Sequence, residues 1–106
     1  MRINKDDENI IYYTIGKNLK RIRKEKGFTQ EKLAEACDYA LSFIGNLESD
    51  KVFQTISVGS LYHISRVLGI HITELLKDIE EWIWVSWLHK QKNGVLNSIF
   101  LNTTFF

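Results

Sequence analysis

Apolar residues recur along this chain at helical spacing. Ile11, Ile15, Leu19 and Ile22 follow one another at intervals of four, four and three residues, which places them on one face of a helix starting near Ile10. Gly27 ends that helix, since glycine enters the left-handed conformation without strain, and Phe28 folds back toward the core. Next, Leu33, Ala34 and Cys37, and then Tyr39, Ile44 and Leu47, give each of two short helices one apolar face. Thr29 is a fitting N-cap for the first of them, with Gln30 and Glu31 in its first turn. Small Ala34 suits a close helix crossing, and Asp38 takes the left-handed conformation that the turn needs. The second short helix spans roughly Leu41 to Glu48, and Ser49-Asp50-Lys51 breaks it.

Ser57 caps a fourth helix with apolar positions Val58, Leu61, Ile64 and Leu68, and Gly69 closes it. Thr73 caps a fifth, with Glu74 in its first turn and Leu75, Leu76, Ile79 and Ile83 directed inward. The chain has no proline to contradict any of these helices. The pattern therefore predicts an all-α fold, a compact five-helix bundle over residues 10–80. Residues 1–9 are polar and acidic and read as a flexible N-terminus. Residues 81–106 form an atypical extension. Trp82, Trp84 and Trp87 crowd its start, Asn93-Gly94 marks a stop or turn, and the β-branched and aromatic residues beyond favour a strand or an irregular tail.

Composition changes this picture little. With 106 residues, 44% hydrophobic and 25% charged, the chain suits one soluble globular domain. The net charge of +1 is uninformative, but its distribution is not. Lys17, Lys20, Arg21, Arg23, Lys24 and Lys26 crowd the end of the first helix against Glu25 alone, while acidic residues gather at Asp6-Asp7-Glu8 and Asp78-Ile79-Glu80-Glu81. Such a basic run is either a solvated helix face or a nucleic-acid surface. Cys37 is the one cysteine, so no intrachain disulfide forms, and with no signal or membrane-spanning pattern the expectation is a cytoplasmic protein. His63, His71 and His89 share no metal-ligand spacing with Cys37. No glycine-rich phosphate loop and no Ser-His-acid set stands out, so neither an enzyme nor a cofactor is expected.

Three stretches together resemble the phage-repressor and Cro-like helix-turn-helix family: Leu19-Lys20-Arg21-Ile22-Arg23, Gly27 through Ala34, and Phe43-Ile44-Gly45-Asn46-Leu47-Glu48. Ser57, Leu61, Ile64, Leu68-Gly69-Ile70 and Glu74-Leu75-Leu76 are similar to its last two helices, so the likeness covers about residues 10 to 77. Small restriction–modification controller proteins and phage or mobile-element regulators are nearest in size. The resemblance implies a homodimeric transcriptional regulator that inserts its third helix in the major groove of a short two-fold-symmetric operator. It also implies residue roles. Gln30 grips a backbone phosphate at the helix that Thr29 opens, where main-chain amides favour an anion. Leu41, Ser42 and Asn46 reach base edges, with Phe43 beside them near the groove wall. Lys51 matches a phosphate-contacting position, Lys20 adds salt-sensitive affinity, and Arg23 and Glu48 match a structural ion pair. Asparagine pairs in bidentate fashion with adenine, and Leu41 and Phe43 suit thymine methyls.

The chain departs from the family pattern in three places. Ala40 stands where a Ser or Thr cap is usual, at a cost of roughly 1 kcal/mol, with Ser42 as an alternative cap that starts the helix late. The loop from Glu48 to Ser57 is longer than the common form and has no proline. Leu41 replaces a frequently polar reader. An alternative reading follows from these apolar positions: a protein-interaction module, antitoxin- or inhibitor-like, that uses the Leu41–Phe43 surface on a protein partner. For the extension three readings stand side by side: a dimer interface through Trp82, Ile83 and Trp87, a strand added to a partner's edge by residues 95–106, and a non-native tail. Membrane-surface anchoring is disfavoured by the acidic start of this segment.

Overall fold

The computed structural model describes residues 5–90, and among these every regular element is a helix: α1 (Lys5–Glu25), α2 (Gln30–Cys37), α3 (Leu41–Glu48), α4 (Val58–Leu68), α5 (Ile72–Leu75) and α6 (Ile79–Lys90). The all-α bundle expected from the periodicity is what forms. The strand or tail expected beyond Asn93-Gly94 lies outside the described residues.

One core serves all the helices. Ile15, Leu19 and Ile22 of α1 meet Leu33, Ala34 and Cys37 of α2, Ile44 and Leu47 of α3, Leu61, Ile64 and Leu68 of α4, and Leu75 of α5. Phe28 and Tyr39 pack against this cluster from the two turns flanking α2. Local chemistry sets the helix ends as the sequence suggests. The Thr29 hydroxyl accepts the Lys32 N–H, and the Ser57 hydroxyl accepts the Ser60 N–H. Asp38 (φ 59°) and Gly69 (φ 71°) end α2 and α4 in the left-handed region, and the backbone N–H groups there satisfy carbonyls that the helix leaves open. Ala40 occupies the N-cap of α3 with no side-chain hydrogen bond, and α3 begins at Leu41. The late start with Ser42 as cap does not occur.

Four expectations need correction. First, α1 starts at Lys5, ahead of the apolar periodicity. Second, Thr73 is not a cap: His71 holds the N-cap position of α5, again without a side-chain bond. Third, the single fifth helix is divided. α5 stops after one turn, Asp78 turns left-handed at φ 69°, and the chain restarts as α6. The cause lies on α1. Buried Asn18 donates its amide to the carbonyls of Leu75 and Lys77, at 3.0 and 2.8 Å, which satisfies the end of α5 and removes the need to continue it. Leu75 and Ile83 still reach the interior, but Leu76 is left at the surface. Fourth, Val58 belongs to no apolar face in the folded chain, being 77% exposed.

Helices α1 and α3 approach so closely that main chain meets main chain. A Cβ on Gly16 would overlap the carbonyl of Leu47. No rotamer relieves a clash with backbone, so Gly16→Ala should destabilise by about 1–3 kcal/mol, as overpacking does, even though alanine is the better helix former. Urea unfolding followed by circular dichroism measures this. An unchanged or higher midpoint is the outcome that contradicts the close approach.

Candidate nucleic-acid interface

The two helices α2 and α3 pair at the turn Asp38–Ala40 and rest on α1 and α4. Ile44 and Leu47 anchor α3 in the core, together with the carboxylate of Glu48. That carboxylate is only 2% exposed and Arg23 facing it only 8%. Arg23 binds it through two parallel bonds, Nε to Oε2 at 2.7 Å and Nη2 to Oε1 at 2.9 Å. The remaining guanidinium nitrogen, Nη1, donates to the Phe28 carbonyl at 2.8 Å. One arginine on α1 thus holds both the end of α3 and the turn before α2. Hydrogen bonding to Glu48 raises the Arg23 pKa further above its ordinary value. The pairing inferred between these two residues is present, and its geometry is bidentate.

Gln30 joins the same network. Its Nε2 donates to Glu48 Oε1 at 3.1 Å, so the side chain at the start of α2 is held by the last residue of α3. The amides of Gln30 and Glu31 head α2, where a helix has no intrahelical acceptors for them. The Thr29 hydroxyl is already committed to Lys32.

The outer face of α3 carries Leu41, which is 46% exposed, and exposed Ser42, with half-buried Asn46 about one turn further on. Phe43 is half-buried and leans edge-on against Tyr39, ring centres 5.4 Å apart. Tyr39 in turn meets His63 edge-on at 5.4 Å, and His63 Nε2 lies 3.0 Å from the Cys37 carbonyl. An aromatic chain from α4 therefore steadies the turn into α3. Sequence reasoning weighed His63 only as a metal ligand and so missed this role. A partner 26 positions away in the chain leaves no local signal.

Two candidate basic residues lie near Asp50, just past the end of α3. Lys51 is exposed just past α3, its backbone N–H donating to the Ser49 hydroxyl, and Lys20 is half-buried on α1. The basic run is less uniform than its sequence suggests. Arg23 is consumed internally, Arg21 pairs with Glu25, and Lys17 binds Asp50 at 2.7 Å. That bond to Lys17, with Lys20 and Lys51 also nearby, holds the Asp50 carboxyl below its usual pKa. Asp50 is therefore ionised at neutral pH and offsets part of the positive field.

Two short helices, the second tied to α1 by a buried ion pair and to the first by the Gln30 hydrogen bond, with the outer face of the second left free of the core, define a helix-turn-helix. Residues 16–81 match the helix-turn-helix domain family, and the chain belongs to it. Among curated proteins it is similar to the control protein C.MunI of Mycoplasma sp, with 36% identity over 74 residues that cover 69% of this chain and 97% of that protein. The HTH-type transcriptional regulator y4dJ of Sinorhizobium fredii is 30% identical over 67 residues, or 63% of this chain and 84% of that one. The immunity repressor protein of Bacillus phage phi105 is 32% identical over 63 residues, 59% of this chain and 42% of the repressor. These relatives are regulators, and the expectation that the chain is not an enzyme agrees with their company. Among the described residues no helix is long and apolar enough to cross a membrane.

Removing one partner of the buried pair isolates the other charge. Glu48→Ala should therefore cost about 3–5 kcal/mol of stability, whereas Gln30→Ala, at the rim of the same network, should cost about 0.5–1.5 kcal/mol. Chemical denaturation of both variants checks the order. Equal losses would show that the pair is no more than a surface contact.

Proposed function

We propose that this chain is a transcriptional regulator that binds double-stranded DNA in a sequence-specific manner, as a homodimer on a short two-fold-symmetric operator. The observation that carries the reading is the division of α3: Ile44, Leu47 and Glu48 are locked inside, while Leu41 and Ser42 are exposed, Asn46 is half-buried one turn after Ser42, and exposed Lys51 follows just past the helix. A helix mounted in this way presents its outer face to the major groove. Asn46 takes an adenine edge and Leu41 a thymine methyl. Ser42 reaches the neighbouring base, and Phe43 closes against the groove wall. The amides heading α2, with Gln30 and Thr29 beside them, face a phosphate, and Lys20 and Lys51 contribute salt-dependent affinity. In a dimer of this motif the two α3 helices enter successive major grooves about 34 Å apart. The relatives named as a control protein and an immunity repressor support the reading.

The exposure of Leu41 favours a second reading, in which the same surface binds a protein. A gel shift with DNA flanking the chain's own gene, competed by random sequence, separates the two. Preferential retention of the flanking DNA supports the regulator. Binding to a co-purifying protein, with no DNA preference over random sequence, supports the interaction module.

Within the DNA reading, Asn46→Ala should lose about 1–3 kcal/mol of discrimination at one base position of each half-site, measured by competition with singly substituted operators. Lys20→Ala and Lys51→Ala should each weaken binding on every sequence and reduce the salt slope by about one. A slope that stays the same removes that lysine from the phosphate contacts.

A further inference from the structure

The loop that leaves α3 puts one carboxylate among the lysines of the candidate interface. Asp50 lies two residues past Glu48, and its Oδ1 meets Lys17 Nζ at 2.7 Å. Lys20, three residues further along α1 and so on the same side of that helix, and Lys51, next in the chain, act on the same carboxyl. Asp50 and Lys51 also share the wall of a hollow of about 220 Å³ between the loop and the first half of α1, which Tyr12 and Tyr13 help to line. The pair with Lys17 is no brace for the fold. Its side chains are 41% and 61% exposed, and exposed ion pairs add little to stability. The loop has anchors of its own: buried Glu48 before it, the Ser49 hydroxyl that accepts the Lys51 N–H, and the Phe53 ring edge-on to Tyr12 at 5.7 Å. Lys17 too is seated independently of Asp50, because its ammonium lies 5.1 Å from the centre of the Tyr13 ring.

We propose that Asp50 is a tethered counterion: it competes with DNA phosphates for Lys17, Lys20 and Lys51, and so limits how tightly the protein holds DNA of any sequence. The proposal rests on the regulator reading above and adds to it a residue that works against binding. Two effects follow from the position of the carboxylate. The first concerns salt. A lysine that neutralises a phosphate releases a cation condensed on the DNA, and affinity falls with added salt for that reason. When Lys17 leaves Asp50 for a phosphate, the abandoned carboxylate attracts a cation in its place, so the exchange releases none. Lys17 therefore adds nothing to the salt-dependent affinity while Asp50 is beside it. The second effect is direct repulsion. Asp50 adjoins Lys51 in the chain, well within the roughly 8 Å over which charge acts at physiological salt. It opposes any phosphate that Lys51 holds, and the anchored loop keeps it there. Both effects fall on the backbone contacts, which carry no sequence information. The base contacts proposed for α3 are left to distinguish the operator.

The test is fluorescence anisotropy of the full 106-residue chain on two labelled duplexes, one flanking its own gene and one of random sequence, over a series of salt concentrations. Asp50→Asn keeps the shape of the side chain and removes its charge. It should tighten binding to the random duplex about fivefold at low salt and steepen the salt slope by about one, the contribution of a single lysine set free. Adding Lys17→Met takes that lysine away and should return the slope to the wild-type value. Thermal unfolding followed by circular dichroism should find Asp50→Asn as stable as the wild type. Suppose the wild type prefers the flanking duplex while Asp50→Asn weakens binding, or leaves affinity and slope as they were. Either result overturns the tethered counterion and leaves the regulator reading intact. A wild type with no preference for the flanking duplex overturns the regulator reading and the inference with it.

Discussion

The fold of the helix-turn-helix depends on one buried carboxylate. Glu48 receives two hydrogen bonds from Arg23 and one from Gln30, so the last residue of α3 is fixed to both α1 and α2. Arg23 extends the reach of this centre to the Phe28 carbonyl. Ion pairs this deep are costly to desolvate, and their gain over an apolar contact is small. Their directionality explains their use here. A leucine in place of Glu48 would fill the volume, but it would set neither the rotation of α3 about its own axis nor the orientation of the Gln30 amide.

Around this centre the chain separates what must be rigid from what must be free. α3 is only two turns long, and its buried residues alternate with exposed ones at helical spacing. Its missing side-chain cap is offset from outside, by the Tyr39 and His63 contacts that hold the preceding turn. The basic side of α1 is similarly trimmed. Of its cations, Arg23 is internal and Lys17 is matched by Asp50, which leaves a smaller positive field than a count of lysines and arginines suggests.

Features written in neighbouring residues were legible in the sequence. Thr29, Asp38, Ser57 and Gly69 act within a few positions of themselves, and their chemistry names their place. The buried Arg23–Glu48 pair was legible through family likeness and not through spacing, since 25 positions separate the partners. What remained hidden depends on distant contacts. The division of α5 from α6 follows from Asn18, more than fifty positions earlier, and an apolar pattern continuing through Leu76 to Ile83 reads as one helix without it. Leu76 and Val58 fit the helical periodicity and are nonetheless outside the core, because periodicity reports a face without saying whether anything covers it. For the proposed contact residues, the structure adds position and exposure to what the resemblance implied.

The meeting of Gly16 with the Leu47 carbonyl has a further consequence. Where helices are spaced by interlocking side chains, a change in one side chain shifts the axis between them. Here the spacing is set by the thickness of two polypeptide backbones, which no substitution at the outer face of α3 alters. Residues 41, 42 and 46 are therefore free to vary while the mounting stays at constant distance. Under the proposed DNA reading, this architecture would let target preference diverge among copies of such a gene with the scaffold unchanged, so that recognition would evolve as a separable trait.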